Sequence, residues 1–168
     1  MSRAGECLAR LDALGIEYEL TRHEALDTME KCRRAEKIIG APVPRNIFLC
    51  PRNQSVFALY TLTSDAPFRT SQVSRQAGLS RLSFAPEDKL GDLRGTYPGA
   101  VSPLGLLFDT GMRVRFLLEE ALLRCEYLAF HPVDDTLAVK MKTKALLEVF
   151  LPACGHGYTL IGTNHEQG

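Results

Sequence analysis

No stretch of this chain carries the roughly 20 consecutive apolar residues that a membrane helix needs. Its start, Met1-Ser2-Arg3-Ala4-Gly5-Glu6, is not a charged region followed by an apolar signal core, so a cytoplasmic, membrane-free protein is expected. Cysteine is sparse and scattered. The five residues Cys7, Cys32, Cys50, Cys125 and Cys154 are odd in number and contain no C-x-x-C pair, which indicates neither a disulfide framework nor a zinc site. Four histidines, His23, His131, His156 and His165, lie far apart without an H-x-x-x-H pair, so no metal is expected. The chain also lacks a P-loop, a G-x-G-x-x-G turn and a G-x-S-x-G elbow, which excludes those phosphate cradles and that form of serine nucleophile. Net charge is absent too, with 20 basic and 20 acidic residues.

What is present is ordinary globular material, 45% apolar and 24% charged over 168 residues, enough for one domain with a sizeable core. We expect a single domain over residues 1–163 and a flexible tail over 164–168. The charge is unevenly spread. Lys31, Arg33, Arg34, Lys37, Arg45, Arg52, Arg69, Arg75 and Arg81 face only Glu36 and Asp65 in the middle third. Such a region permits a polyanionic partner, although solvated helix faces give the same pattern.

Periodicity and punctuation predict the elements. Leu8, Leu11 and Leu14 before Gly15 predict a helix over 2–14, and residues 16–21 alternate as a short strand. Thr28 is a plausible N-cap for a helix to Ile39 that stops at Gly40. Apolar runs over 46–50 and 56–62, separated by Pro51-Arg52-Asn53-Gln54-Ser55, predict a β-hairpin. A short helix over 70–77 closed by Gly78, a strand over 81–84 and a helix over 86–93 follow. Residues 95–103 are rich in glycine and proline. The remainder reads as strands over 114–118, 127–130, 137–141 and 158–161, with helical turns over 119–124 and 143–151. Strands in adjacent runs predict an α+β fold with a mixed, largely antiparallel sheet.

Two stretches carry candidate chemistry. In Val43-Pro44-Arg45-Asn46-Ile47-Phe48-Leu49 a proline ends a loop, and a cation and an amide then stand at the mouth of an apolar strand. A guanidinium does not deprotonate at any working pH, so Arg45 can bind or stabilise an anion but cannot shuttle a proton. Asn46 can donate to a ligand oxygen or cap the adjoining turn. In Gly99-Ala100-Val101-Ser102-Pro103 a glycine, small residues and a proline make a loop with accessible backbone N–H groups, or simply a tight connection. Ser102 has no histidine nearby in sequence and reads as a loop residue rather than a nucleophile. His131, between Phe130 and Pro132, is the one neutral-pH base candidate near these stretches, or a structural hydrogen-bonder at a strand end.

Taken in order, His23-Glu24-Ala25-Leu26-Asp27-Thr28, Arg45-Asn46-Ile47-Phe48-Leu49, Gly99-Ala100-Val101-Ser102-Pro103-Leu104-Gly105-Leu106-Leu107 and Phe130-His131-Pro132 resemble the YbaK/PrdX family of aminoacyl-tRNA editing domains. Within that family the series is most similar to the free-standing prolyl-tRNA editing proteins. The resemblance implies a curved, mostly antiparallel mixed sheet flanked by helices, and hydrolysis of the ester of mischarged tRNA, above all alanyl-tRNA(Pro). It implies that Arg45, Asn46 and His131 act in catalysis, and that Thr28, Gly99, Ala100, Val101, Ser102 and Pro103 hold the substrate, with no cofactor. The implied partners are the tRNA 3′ acceptor end and, as a candidate, prolyl-tRNA synthetase. The family carries a lysine where this chain has Arg45. That departure keeps two alternatives open: a catalytically weak or inactive tRNA-binding homologue, and a deacylase for serine or threonine.

Overall fold

The computed structural model describes residues 2–24, 28–86 and 101–162. All but the first residue of the helix expected over 86–93, most of the glycine- and proline-rich stretch, Gly99, Ala100 and the tail over 164–168 lie outside the described residues.

The chain opens with α1, Arg3–Ala13, whose first turn is capped by the Ser2 hydroxyl accepting from the Gly5 N–H. After β1, Tyr18–Arg22, comes α2, Met29–Ile39. Both ends of α2 follow from local chemistry: Thr28 Oγ1 accepts from the Lys31 N–H at 3.1 Å, and Gly40 stops the helix in the left-handed region at φ 81°. The expected hairpin is β2, Arg45–Pro51, and β3, Phe57–Leu62. Pro51 belongs to the strand rather than to the turn. Then follow α3, Thr70–Ala77, closed by Gly78, and β4, Leu82–Phe84.

A 3-10 helix over Pro103–Phe108, absent from the sequence reading, leads to β5, Val114–Glu119. Glu119, expected to begin a helical turn, ends this strand instead, and the turn is a 3-10 helix over Glu120–Arg124. Strands β6, Tyr127–Phe130, and β7, Leu137–Lys142, lead into a helix over 143–153, and β8 is Thr159–Ile161. That helix widens to a π turn at Leu146–Phe150. The widening falls on the turn before Pro152, which has no N–H to give and crowds the carbonyl four residues back.

The expected mixed, mostly antiparallel pairing is present and is divided between two sheets. One has the order β1-β7-β6 and is antiparallel; the other has the order β4-β2-β3-β5-β8, antiparallel across β4-β2-β3 and parallel from β3 through β5 to β8. Alternation along the strands assigns each sheet two buried faces. Phe48, Phe57, Leu59, Phe116 and Leu118 of the larger sheet share one core with Cys7 and Leu11 of α1, Leu104 and Leu106 of the 3-10 helix, and Phe130, Val139 and Met141 of the smaller sheet. The opposite face of the larger sheet, with Ile47, Leu49, Tyr60, Leu62 and Leu117, is covered by Val73 and Ala77 of α3. Ala129 and Ala138, on the far face of the smaller sheet, meet Ala35 and Ile39 of α2. The layers therefore run α3, larger sheet, shared core, smaller sheet, α2. No helix among the described residues is long and apolar enough to cross a membrane.

Candidate functional site

Residues Gly40 to Pro44 deliver the chain from α2 to the mouth of β2. The Glu36 carboxylate accepts from the Val43 N–H at 2.7 Å, and the Pro42 carbonyl accepts from the Ala129 N–H at 2.9 Å. The second bond ties the segment leading to Arg45 directly to β6, the strand that leads to His131. Arg45 is thus three residues beyond one partner and His131 two beyond the other, which brings these distant stretches of sequence together. Val101 is buried in the same shared core as Phe130 and Val133.

Within this arrangement the strand pleat separates Arg45 from its neighbour. Arg45 pairs with Leu62 and lies on the α3 side of the sheet, whereas Asn46 pairs with Thr61 and lies on the side of the shared core. The Arg45 guanidinium is exposed, donates from Nη2 to the Ala66 carbonyl at 2.9 Å and stands 5.3 Å from the centroid of Phe68. A cation at that distance is attracted by the ring face. Phe68 in turn meets Tyr60 and Phe84 edge-on, with centroids at 6.1 and 6.3 Å. Asn46 Oδ1 accepts from the hydroxyl of fully buried Thr61 at 2.5 Å, so its carbonyl is engaged across the hairpin and its amide N–H groups are the donors left for other partners.

His131 is buried, at 8% exposure, and its Nδ1 lies 2.8 Å from the Leu137 carbonyl. A carbonyl only accepts, so Nδ1 carries the proton and Nε2 is the basic atom of the neutral ring. Burial pushes the His131 pKa below its ordinary 6.5, reinforced by His23; the Leu137 carbonyl and the carboxylates of Asp135 and Asp134 oppose the shift. The rings of His23 and His131 are tilted at 54° to one another with centroids 5.5 Å apart. Burial therefore holds His131 in the form that can accept a proton at neutral pH.

Ser102, Val101, Pro103 and Thr28 occupy structural positions. Ser102 is 1% exposed and caps the 3-10 helix, its Oγ accepting from the Leu104 N–H at 3.1 Å and its carbonyl from the Gly105 N–H at 2.9 Å. Val101 and Pro103 are buried beside it. Thr28 is exposed and spends its hydroxyl on capping α2. Gly99 and Ala100 lie outside the described residues.

Two further groups escaped the sequence reading. Glu119 is 2% exposed at the end of β5, and its Oε1 accepts from both the N–H and the hydroxyl of Thr63, at 2.8 and 2.6 Å. Its one sequence signal is a carboxylate closing the apolar run that begins at Val114. At the other end of β5, Asp109 accepts from the N–H groups of Arg113 and Val114 at 3.0 and 2.9 Å. His156 Nε2 approaches Asp109 Oδ2 at 3.3 Å without hydrogen-bond alignment. Burial pushes the His156 pKa down, against the attraction of Asp109. No group of three potential metal ligands occurs among the described residues.

Comparison with known proteins bears on this geometry. The aminoacyl-tRNA editing domain model matches residues 23–149. The chain is 28% identical over 154 residues to a prolyl-tRNA editing protein, ProX, of Acetoanaerobium sticklandii, covering 92% of this chain and 93% of that one. It is 27% identical over 148 residues to prolyl-tRNA synthetase associated domain-containing protein 1 of Danio rerio, covering 87% and 79% of the two chains. Its fold matches a solved protein proposed as a trans-editing enzyme for prolyl tRNA synthetase, with a TM-score of 0.70 at 16% identity over 96% of this chain and 98% of that one. A scaffold protein used in computational epitope grafting matches with a TM-score of 0.72 at 15% identity, over 96% and 97%. The matched residues 23–149 span most of the chain and take in the Arg45 strand mouth, Ser102 and His131; this protein belongs to the aminoacyl-tRNA editing domain family.

Proposed function

We propose that this protein is a trans-acting deacylase that hydrolyses the ester of mischarged tRNA, with alanyl-tRNA(Pro) as its substrate. The observation that carries the reading is the family match over residues 23–149, which includes Arg45, Ser102 and His131; the bond from the Ala129 N–H to the Pro42 carbonyl, joining the segment before Arg45 to the strand before His131, supports it. The similarity to the ProX protein supports proline tRNA as the carrier.

In this reaction water adds to the ester carbonyl, the acyl carbon–oxygen bond to the ribose breaks, and the amino acid and intact tRNA leave. The ester is already activated, so positioning and charge stabilisation suffice. Arg45 anchors a phosphate of the 3′ end, for which its planar fork of donors is suited. The Asn46 amide donates to the ester oxygen. Neutral His131 offers Nε2 as the proton acceptor for water, alongside the ribose hydroxyl next to the ester. The backbone of the 99–103 loop holds the aminoacyl group, and prolyl-tRNA synthetase is the protein that would deliver the substrate.

The test is release of alanine from alanyl-tRNA(Pro) with and without protein, beside seryl- and threonyl-tRNA. We expect acceleration for alanine and about a hundredfold loss in Arg45→Ala, the effect of removing one well-placed electrostatic contact worth about 3 kcal/mol. Rates equal to buffer across the whole panel would overturn the proposal. One observation favours a second reading, tRNA binding without appreciable hydrolysis: Arg45 stands where the family has lysine and is already engaged by Ala66 and Phe68. Under that reading Arg45→Lys brings no gain in hydrolysis while tRNA binding stays salt-sensitive.

A further inference from the structure

Arg45 is held by a loop, and that loop has its own anchor. Residues 63–69 connect β3 to α3 and supply both contacts of the guanidinium, the Ala66 carbonyl at 2.9 Å and the Phe68 ring at 5.3 Å. At the far end of the loop, Phe68 rests edge-on against Tyr60 and Phe84. At the near end, Thr63 gives its N–H and its hydroxyl to the single oxygen Glu119 Oε1, at 2.8 and 2.6 Å. Glu119 is 2% exposed, and a carboxylate taken so far out of water is retained only where its hydrogen bonds compensate. Its register explains the reach: Leu62 pairs with Arg45 on one side, and Thr61 pairs with Leu118 on the other, so Arg45, Leu62 and Glu119 form one row across three strands on the α3 face.

We propose that Glu119 is the positioning residue for Arg45: by accepting both Thr63 hydrogen bonds it fixes the 63–69 loop, and the loop fixes the guanidinium. Glu119 touches no substrate and acts through Thr63, Ala66 and Phe68. The inference rests on the reading of Arg45 as the anchor for the tRNA 3′ end. It makes the geometry of the hydrogen bonds, rather than the negative charge, the requirement at position 119. A glutamine keeps an acceptor oxygen in the same place, whereas an alanine removes the partner of the half-buried Thr63 N–H and hydroxyl.

The test combines a double-mutant cycle with a measurement that needs no activity. In deacylation of alanyl-tRNA(Pro), Glu119→Ala is expected to raise KM about tenfold with kcat less affected. Glu119→Gln is expected to restore most of that loss, and Thr63→Ala, which removes one of the two bonds, to raise KM about threefold. In an Arg45→Ala background, Glu119→Ala adds less than about twofold, because the group it positions is gone. Hydrogen exchange of the 63–69 segment accelerates in Glu119→Ala and returns toward the parent rate in Glu119→Gln. Additive effects of Arg45→Ala and Glu119→Ala, a glutamine as damaging as the alanine, or unchanged exchange in the loop each overturn the positioning role. If Glu119→Ala does not fold, Thr63→Ala carries the same cycle. The outcome that sinks the Arg45 reading is a different one: Arg45→Ala as active and as tightly tRNA-bound as the parent protein.

Discussion

Arg45 opens β2 and His131 follows β6, and one backbone hydrogen bond ties the segment before β2 to β6, yet the two residues sit in opposite electrostatic regimes. Arg45 is exposed, permanently charged, and held by one carbonyl and one ring face on the α3 side of the larger sheet. His131 is buried, kept neutral by its surroundings, and locked by the Leu137 carbonyl at the end of the smaller sheet. A fixed cation in contact with water can meet a phosphate without losing its hydration beforehand, while a buried neutral imidazole can take a proton without carrying a resting charge. Under the proposed function, that difference would assign anion binding to the exposed edge and proton handling to the dry one.

That division can be attacked from either side. The largest expected effect is on the buried side, where Phe130→Ala empties a fully packed position next to His131 and should lower unfolding free energy by about 3–5 kcal/mol in urea titrations. A loss below about 1 kcal/mol would mean that the core behind His131 is not packed as described. On the exposed side, Arg45→Ala should leave the urea midpoint within experimental scatter while cutting deacylation about a hundredfold, since removing one exposed side chain that makes few contacts changes stability little. A large fall in stability would make Arg45 a structural residue and erase the contrast.

A smaller effect separates capping from substrate contact in α2, the helix that covers the smaller sheet. Thr28→Ser keeps the hydroxyl that accepts from Lys31, whereas Thr28→Ala should cost about 1 kcal/mol of stability, read from thermal unfolding. If both variants fold like the parent but lose activity, Thr28 serves the substrate instead. The finest probe is pH. His131 and His156 both have pKa values lowered below the ordinary 6.5 in the folded state, so the unfolded chain binds more protons as pH falls through that value. The stability they contribute is fully present above about 6.5 and declines below it. The urea midpoint should therefore be lower at pH 5.5 than at pH 7.5, and replacing His131 with glutamine should flatten part of that slope. An unchanged slope would place the acid sensitivity elsewhere.

Much of the local structure was legible in the chain because its causes are local. Thr28 and Gly40 bracket α2, Gly78 closes α3, and the Arg52 to Ser55 stretch turns the hairpin, each through interactions within a few residues. The 3-10 helix over Pro103–Phe108 was not read, although Ser102 before Pro103 is a cap followed by a proline in the first turn. Its apolar Leu-Gly-Leu-Leu-Phe run shows no helical alternation because most of it is buried. Glu119 was misplaced for a related reason: a carboxylate after an apolar strand resembles the first turn of a helix until Thr63, distant in sequence, is found to share it.

The ordered motifs were enough to indicate the family, because residues 23–149 preserve them in sequence order. Strand alternation alone also required Arg45 and Asn46 to face opposite ways. Tertiary structure decided which faces those were, because β1 pairs with β7 and β3 with β5 across separations no local pattern records. It decided that His131 is buried and neutral, since dielectric surroundings are supplied by residues from the whole chain. It also placed Glu119, two strands away from Arg45 in the row, in hydrogen bonds with Thr63 at the start of the 63–69 loop, bonds that only the assembled sheet can form.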